Sequence, residues 1–130
     1  NLKHIKEEIE KRKIVYFRYR NNLNDMEGIF MPTLNPDIEY NYAYFPIVID
    51  PDIAGFSRDD VYNKLMNENI YTRKYFYPIT NEFDCYKGRF YAGDTPIALD
   101  ISKKVLTLPM YADLSVDVVD VICNLIKSMK

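Results

Sequence analysis

Helix-like and strand-like patterns alternate along a chain of only 130 residues, and this alternation restricts the possible folds more than any other property. The first pattern is the longest. Apolar residues recur at close to helical spacing among lysine, glutamate and arginine: Leu2, Ile5, Ile9, Tyr16 and Leu23. This spacing predicts a long amphipathic helix. We expect the helix to end near the Asn21–Asn22 pair.

Three later segments carry helix signals. In "GFSRDDVYNKLMNEN", Ser57 and Asp60 have the spacing of a capping box, and Asn69 is a typical left-handed helix end. In "DTPIALDISKK", Pro96 suits the first turn of a helix. In "LSVDVVDVICNLIKSMK", Ser115 is the expected N-cap of an apolar, helically spaced run.

Strands are predicted between these helices. Residues 40–50, 70–77 and 105–111 are rich in aromatic and branched side chains and are bounded by turn-forming residues. Pro46 suggests an edge strand or a bulge. Residues 24–41, interrupted by glycine and proline, are predicted to be mainly loop.

These patterns predict an α+β fold, a small sheet of about three to four strands with helices packed on one face, preceded by the long amphipathic helix. Connections between the strands are long enough for crossovers, so parallel and antiparallel pairings both remain open. The second face of the sheet is left to be covered by something else.

Charge and composition exclude several partners. The formal net charge is −2, with the cations scattered among the acids, which argues against nucleic acid or an anionic membrane as a partner. No apolar run approaches the ~20 residues that cross a bilayer, and the charged opening does not resemble a signal peptide. Cys85 and Cys123 lack metal-binding spacing and are expected to be reduced thiols of a cytoplasmic protein.

Catalytic chemistry is not evident in these residues. His4 lies in the charged first helix, far in sequence from both cysteines, and one histidine with two distant cysteines makes no metal site. No glycine-rich phosphate loop is present. We therefore expect no catalytic residue and no metal site in this chain, which does not look like a complete enzyme.

Residues 71–78, "YTRKYFYP", are here named the aromatic segment. In a strand, alternation would place Tyr71, Arg73, Tyr75 and Tyr77 on one face. Arginine can bind a phosphate or carboxylate bidentately, and tyrosine offers a stacking surface and a hydroxyl. Physical reasoning alone leaves two interpretations open: one wall of a binding pocket, or an aromatic ladder with Arg73 in a structural ion pair.

Several stretches resemble the DegT/StrS-type sugar aminotransferases. The first helix is similar to the family's "I..I..RK....YR..L" helix, and "NYAYFPIVID" to the strand that follows. "TRKYFYPIT" resembles the family's "R.YFYP" segment, and "DTPIALDISKKVLTLPMYADLS" its "P.A..IS..VL.LP.Y..LS" ending. The likeness covers nearly the whole chain, in the same order.

The resemblance implies a pyridoxal-phosphate enzyme of the aspartate-aminotransferase fold. Such enzymes are homodimers that transfer an amino group from glutamate to a nucleotide-linked keto sugar. Residues 1–23 would be the lead-in helix from a missing large domain, and residues 24–130 the C-terminal small domain. Because no segment matches the motifs of the cofactor lysine or its acid partner, this chain is expected to bind no cofactor and to be inactive alone.

Within this resemblance, Arg73, Tyr75 and Tyr77 are the expected substrate-binding residues, since they match the segment that faces the cleft. Lys74 is expected to be solvated rather than the cofactor lysine. Tyr44, Phe45 and residues 109–111 are expected to serve packing. Two alternatives remain. One is a free-standing sugar- or nucleotide-binding module that uses the tyrosine and arginine face. The other is a dehydratase-type relative that also uses pyridoxal phosphate.

Overall fold

A computed structural model describes residues 2–130 as five α-helices, three β-strands and four short 3-10 helices. The helices are α1 (Ile5–Leu23), α2 (Pro51–Ala54), α3 (Arg58–Asn67), α4 (Pro96–Lys104) and α5 (Val116–Lys127). The strands are β1 (Ile29–Phe30), β2 (Phe45–Ile49) and β3 (Val105–Leu108). The 3-10 helices are Leu2–His4, Thr80–Glu82, Asp84–Tyr86 and Ala92–Asp94. The predicted α+β fold is confirmed. Among the described residues, no helix is both long and apolar enough to cross a membrane.

The three strands form one antiparallel sheet in the order β1-β2-β3. Phe45 pairs with Leu108 at one end of the β2–β3 ladder, and Val48 pairs with Val105 at the other. Of the two pairings that the sequence left open, the sheet adopts the antiparallel one.

The hydrophobic core lies between one face of the sheet and helices α1, α3 and α5. On the sheet side, Phe45 and Ile47 are fully buried, as alternation along β2 requires. The Tyr19 ring of α1 stacks on Phe45 with centroids 5.0 Å apart, and Ile122 and Ile126 of α5 complete this layer. Tyr16 and Leu23 of the stripe predicted for the first helix are therefore buried as their spacing predicts, whereas Ile5 of that stripe is exposed.

Helix ends follow the expected capping chemistry at α3 and α5. The Ser57 hydroxyl accepts from the Asp60 N–H at 3.1 Å, and the Asp60 carboxylate accepts from the Ser57 N–H at 2.7 Å, so the capping box is confirmed. Asn69 has a φ of 59°, the left-handed conformation predicted for it. Ser115 accepts from the Asp117 N–H at 3.2 Å and caps α5.

The predicted strand at 70–77 is wrong. Only Arg73 pairs with the sheet, as a single bridge to Thr107 at the outer side of β3. Directly afterwards the Tyr77 N–H donates to the Lys74 carbonyl at 2.9 Å, and this turn leads the chain away from β3 before a second bridge can form. Strand-like composition does not make a strand here: β-propensity depends on burial and packing of the side chains, and the rings of Tyr71, Phe76 and Tyr77 are exposed.

Two short elements were not predicted. β1 lies in the segment expected to be mainly loop, and its two residues are too few for alternation to be visible. α2 begins at Pro51, where the Asp50 carboxylate accepts from the Asp52 N–H at 3.1 Å. Beside them, the Gly28 carbonyl accepts from the Asp50 N–H at 2.8 Å and links the two elements.

The second face of the sheet is partly covered by the chain itself. Pro46 and Thr107 lie on this face, opposite the core, and both line a cavity of about 420 Å³ with Tyr75 and Phe76 of the aromatic segment. The bridge between Arg73 and Thr107 holds the aromatic segment beside the sheet without making it a strand.

Candidate functional site

A cavity of about 270 Å³ opens beside the single bridge between the aromatic segment and β3. Its wall is formed by β3 and the two residues after it, the two residues before β2, and the aromatic segment. Its lining residues are Ala43, Tyr44, Tyr71, Arg73, Tyr75, Thr107, Leu108, Pro109 and Met110. We name it the arginine cavity, because Arg73 is the one charged residue among them.

Arg73 is held in this wall by its backbone and by one side-chain bond. Its N–H donates to the Thr107 carbonyl at 3.0 Å, and its carbonyl accepts from the Thr107 N–H at 2.8 Å. The guanidinium donates to the Tyr75 hydroxyl at 2.9 Å and its carbon lies 5.7 Å from the centre of that ring. Among residues 2–130, no carboxylate forms an ion pair with Arg73. Most of its fork of N–H donors is therefore available to an anionic ligand.

The structural ion pair considered for Arg73 is therefore absent from the described part of the chain. Arg73 and Tyr75, two of the three predicted binding residues, lie in direct contact. Tyr77 lies beyond the turn, where its ring is 5.1 Å from the Arg58 guanidinium carbon. It lines a second cavity, of about 460 Å³, together with Tyr62 and Lys74.

Tyr44 is a wall residue that the sequence interpretation missed. Its side chain is 63% exposed, and its ring meets Tyr75 edge to face with centroids 6.0 Å apart. The packing role expected of both Tyr44 and Phe45 is confirmed only for Phe45, which is buried. Alternation was the available signal, because two adjacent aromatic residues beside a strand point to opposite sides. Pro109 and Met110 also line the arginine cavity rather than serving packing alone.

Lys74 is not the solvated side chain that was expected. Its ammonium pairs with the Asp59 carboxylate at 2.5 Å and lies 4.3 Å from the centre of the Tyr62 ring. The hydrogen bond from Lys74 lowers the pKa of Asp59, with the charge of Arg58 acting in the same direction. Arg58 is buried and donates to the same carboxylate at 2.7 Å.

The residues at this site do not by themselves fit pyridoxal phosphate. That cofactor needs a lysine amine to form its Schiff base. Lys74 follows Arg73, a wall residue of the arginine cavity, in the sequence. Its ammonium, however, is already paired with Asp59 and lies over the Tyr62 ring. What the arginine cavity offers is an anion-binding guanidinium bordered by rings and a hydroxyl, which is a binding surface rather than a proton-transfer site.

Comparison with known proteins assigns the class to which this fold and site belong. Residues 1–127 match the DegT/DnrJ/EryC1/StrS aminotransferase family. The chain belongs to this family.

Two curated relatives are similar over most of the chain. The dTDP-4-amino-4,6-dideoxy-D-glucose transaminase of Escherichia coli is 43% identical over 127 residues, which cover 96% of this chain and 34% of that protein. The enzyme of the same name from Shigella dysenteriae is 38% identical over 112 residues, which cover 86% of this chain and 30% of that protein. The chain thus spans about a third of the length of the curated relatives it matches.

A solved structure shares the fold. The crystal structure of DesI in the presence of its TDP-sugar product superposes with a TM-score of 0.89 at 27% identity. The alignment covers 98% of this chain and 32% of that one. The arrangement of helices and sheet described above is therefore that of about a third of DesI.

Proposed function

We propose that this chain is the C-terminal small domain of a pyridoxal-phosphate aminotransferase that transfers an amino group from glutamate to a nucleotide-linked keto sugar. Residues 1–23 would lead in from the large domain, and residues 24–130 would form the small domain. The family membership and the names of the relatives support the reaction class. The dTDP-linked sugars in the relatives' names make a dTDP-linked keto sugar the first substrate to test.

The observation that carries the proposal is the Arg73 guanidinium on the wall of the arginine cavity. It has no carboxylate partner among residues 2–130 and stands beside exposed tyrosine rings. A guanidinium fork suits a phosphate or carboxylate, and phenol rings suit the partly apolar faces of sugars and bases. In this role Arg73 and Tyr75 bind and orient the substrate, and Tyr77 lines the adjoining second cavity.

The remaining parts of the enzyme would supply the chemistry. Bound pyridoxal phosphate provides the electron sink for amino-group transfer. Its lysine and the acid that holds its ring nitrogen would come from the large domain, so that this chain alone is inactive and binds no cofactor. We expect the complete enzyme to work as a homodimer in the cytoplasm, in keeping with free thiols at Cys85 and Cys123.

The test uses the full-length enzyme loaded with pyridoxal phosphate. With glutamate as donor, we expect a dTDP-linked keto sugar to be aminated. Arg73→Ala should lower kcat/KM about 10- to 100-fold, mainly through KM, because a charge-assisted bond to the substrate is lost. Tyr75→Phe, which keeps the ring, should cost only about threefold. The cofactor absorbance should be unchanged in both variants.

Arg18→Ala is the matched control. Arg18 also carries an exposed guanidinium, but it pairs with Asp120 between α1 and α5. Its variant should retain the kinetics of the parent. Unchanged kinetics in Arg73→Ala would return Arg73 to a structural role, and an intact cofactor band without amino transfer would overturn the reaction class.

A further inference from the structure

The turn that carries Tyr75 is held at both of its ends by the first two residues of α3. At one end, Asp59 binds the Lys74 ammonium at 2.5 Å. At the other end, the Arg58 guanidinium lies over the Tyr77 ring at 5.1 Å. The bond from the Tyr77 N–H to the Lys74 carbonyl at 2.9 Å closes the turn between these two points.

Arg58, which holds the Tyr77 end of the turn, is itself fixed by several hydrogen bonds. Its side chain is only 3% exposed, and it donates to the Ser102 carbonyl at 3.1 Å and the Val105 carbonyl at 3.2 Å. A buried guanidinium needs a charge partner, which Asp59 provides at 2.7 Å. The start of α3 is thereby fixed to the junction of α4 and β3.

Tyr75 connects this turn to the arginine cavity. Tyr75 directly follows Lys74 in the chain, and its hydroxyl is the side-chain partner of Arg73. The backbone of Arg73 is already fixed by its bridge to Thr107. The direction of the guanidinium therefore depends on where Tyr75 lies, and Tyr75 depends on the turn.

We propose that Arg58, Asp59 and Lys74 form a clasp that positions Tyr75, and through it the Arg73 guanidinium, for the anionic nucleotide part of the substrate. They are positioning residues and do not touch the reacting atoms. The inference rests on the proposed function of Arg73. It goes beyond it by assigning substrate affinity to an ion-pair network outside the arginine cavity.

The test uses the full-length enzyme and three substitutions of exposed or half-buried clasp residues, because replacing the buried Arg58 could abolish folding. Asp59→Asn removes the shared carboxylate charge, Lys74→Met removes the ammonium, and Lys74→Arg retains a cation. We expect the first two to raise KM for the nucleotide sugar about three- to tenfold with kcat unchanged, since a displaced binding group weakens orientation. Lys74→Arg should restore KM to near that of the parent.

A double variant separates positioning from a general loss of structure. In Asp59→Asn combined with Arg73→Ala, KM should be no higher than in Arg73→Ala alone, because the clasp acts through Arg73. Trypsin cleavage after residues 73 and 74 should become faster in Asp59→Asn, since the turn is loosened. Lys11→Met is the control, as it removes an ammonium that pairs with Glu7, Glu8 and Asp113.

Three outcomes would count against the clasp. If Arg73→Ala raises KM and Asp59→Asn does not, the clasp is overturned while the substrate-binding role of Arg73 stands. If the two effects on KM multiply, Asp59 does not act through Arg73. If Arg73→Ala leaves KM unchanged, the proposed binding role fails first, and the clasp fails with it.

Discussion

At the scale of single residues, Tyr19 is the least expected member of the core. Its ring is fully buried and stacks on Phe45, yet its hydroxyl has no hydrogen-bond partner among residues 2–130. Burial raises the pKa of this hydroxyl well above its usual value. A buried polar group without a partner loses hydration and gains nothing in return. The ring of Tyr19 therefore stabilises the core, and its hydroxyl does not.

Tyr19→Phe tests this separation. We expect the free energy of unfolding to stay the same or to rise by up to about 1 kcal/mol, because only the unpaired hydroxyl is removed. Tyr19→Ala, which also removes the ring, should lower it by about 3–5 kcal/mol. Urea denaturation of this chain measures both. A loss of more than about 1 kcal/mol in Tyr19→Phe would show that the hydroxyl has a partner, such as a buried water.

At the scale of elements, Gly28 determines how closely β1 approaches α2. Its φ is +83°, and a Cβ there would lie 2.7 Å from the Cα and Cβ atoms of Ala54. Gly55, at the end of α2, has the same φ, but a Cβ added to it would meet no atom within 4 Å. At both positions a residue with a side chain would have a strained backbone. Only at position 28 would its Cβ also collide with another residue.

Alanine substitutions at the two glycines should therefore differ. Gly55→Ala should lower the free energy of unfolding by about 1 kcal/mol, the cost of a left-handed alanine. Gly28→Ala should lower it by about 2–4 kcal/mol, because the collision is added to that strain. Chemical denaturation of the two variants gives the comparison. Equal losses would mean that β1 and α2 separate without cost.

At the scale of the whole molecule, α1 consists of two unlike halves. From residue 3 to residue 10 no side chain is buried, whereas Val15, Tyr16, Tyr19 and Leu23 all belong to the core. The charged first half contributes mainly local ion pairs such as that between Glu10 and Lys13, which are exposed. The second half is a structural part of the same core as the sheet and α5.

Two truncations test this division. Removal of residues 1–10 should leave a cooperative thermal transition with a Tm within about 5 °C of the parent, because no buried side chain is lost from residues 3–10. Removal of residues 1–23 should abolish the transition, since four core residues are lost together. Circular dichroism on heating distinguishes these outcomes. A cooperative transition without residues 1–23 would contradict the assignment of α1 to the core.

The sequence determined the features that depend on neighbouring residues. Helix caps at Ser57 and Ser115 and the left-handed Asn69 follow from local hydrogen bonding, and all three were predicted. Helical period predicted the buried face of α5 and that of the second half of α1, but it wrongly included the exposed Ile5. The aromatic segment was recognised by its composition. Its conformation was not, because strand propensity cannot tell an edge strand from a turn that meets the sheet at a single bridge.

Tertiary structure alone decided how distant residues meet. Three contacts link parts of the chain that no local pattern relates. They are the bridge between Arg73 and Thr107, the ring contact between Tyr44 and Tyr75, and the ion pair between Lys74 and Asp59. The antiparallel order of the sheet is of the same kind. Such contacts depend on the closure of long loops and on the packing of a whole core, so period and propensity in the sequence do not encode them separately.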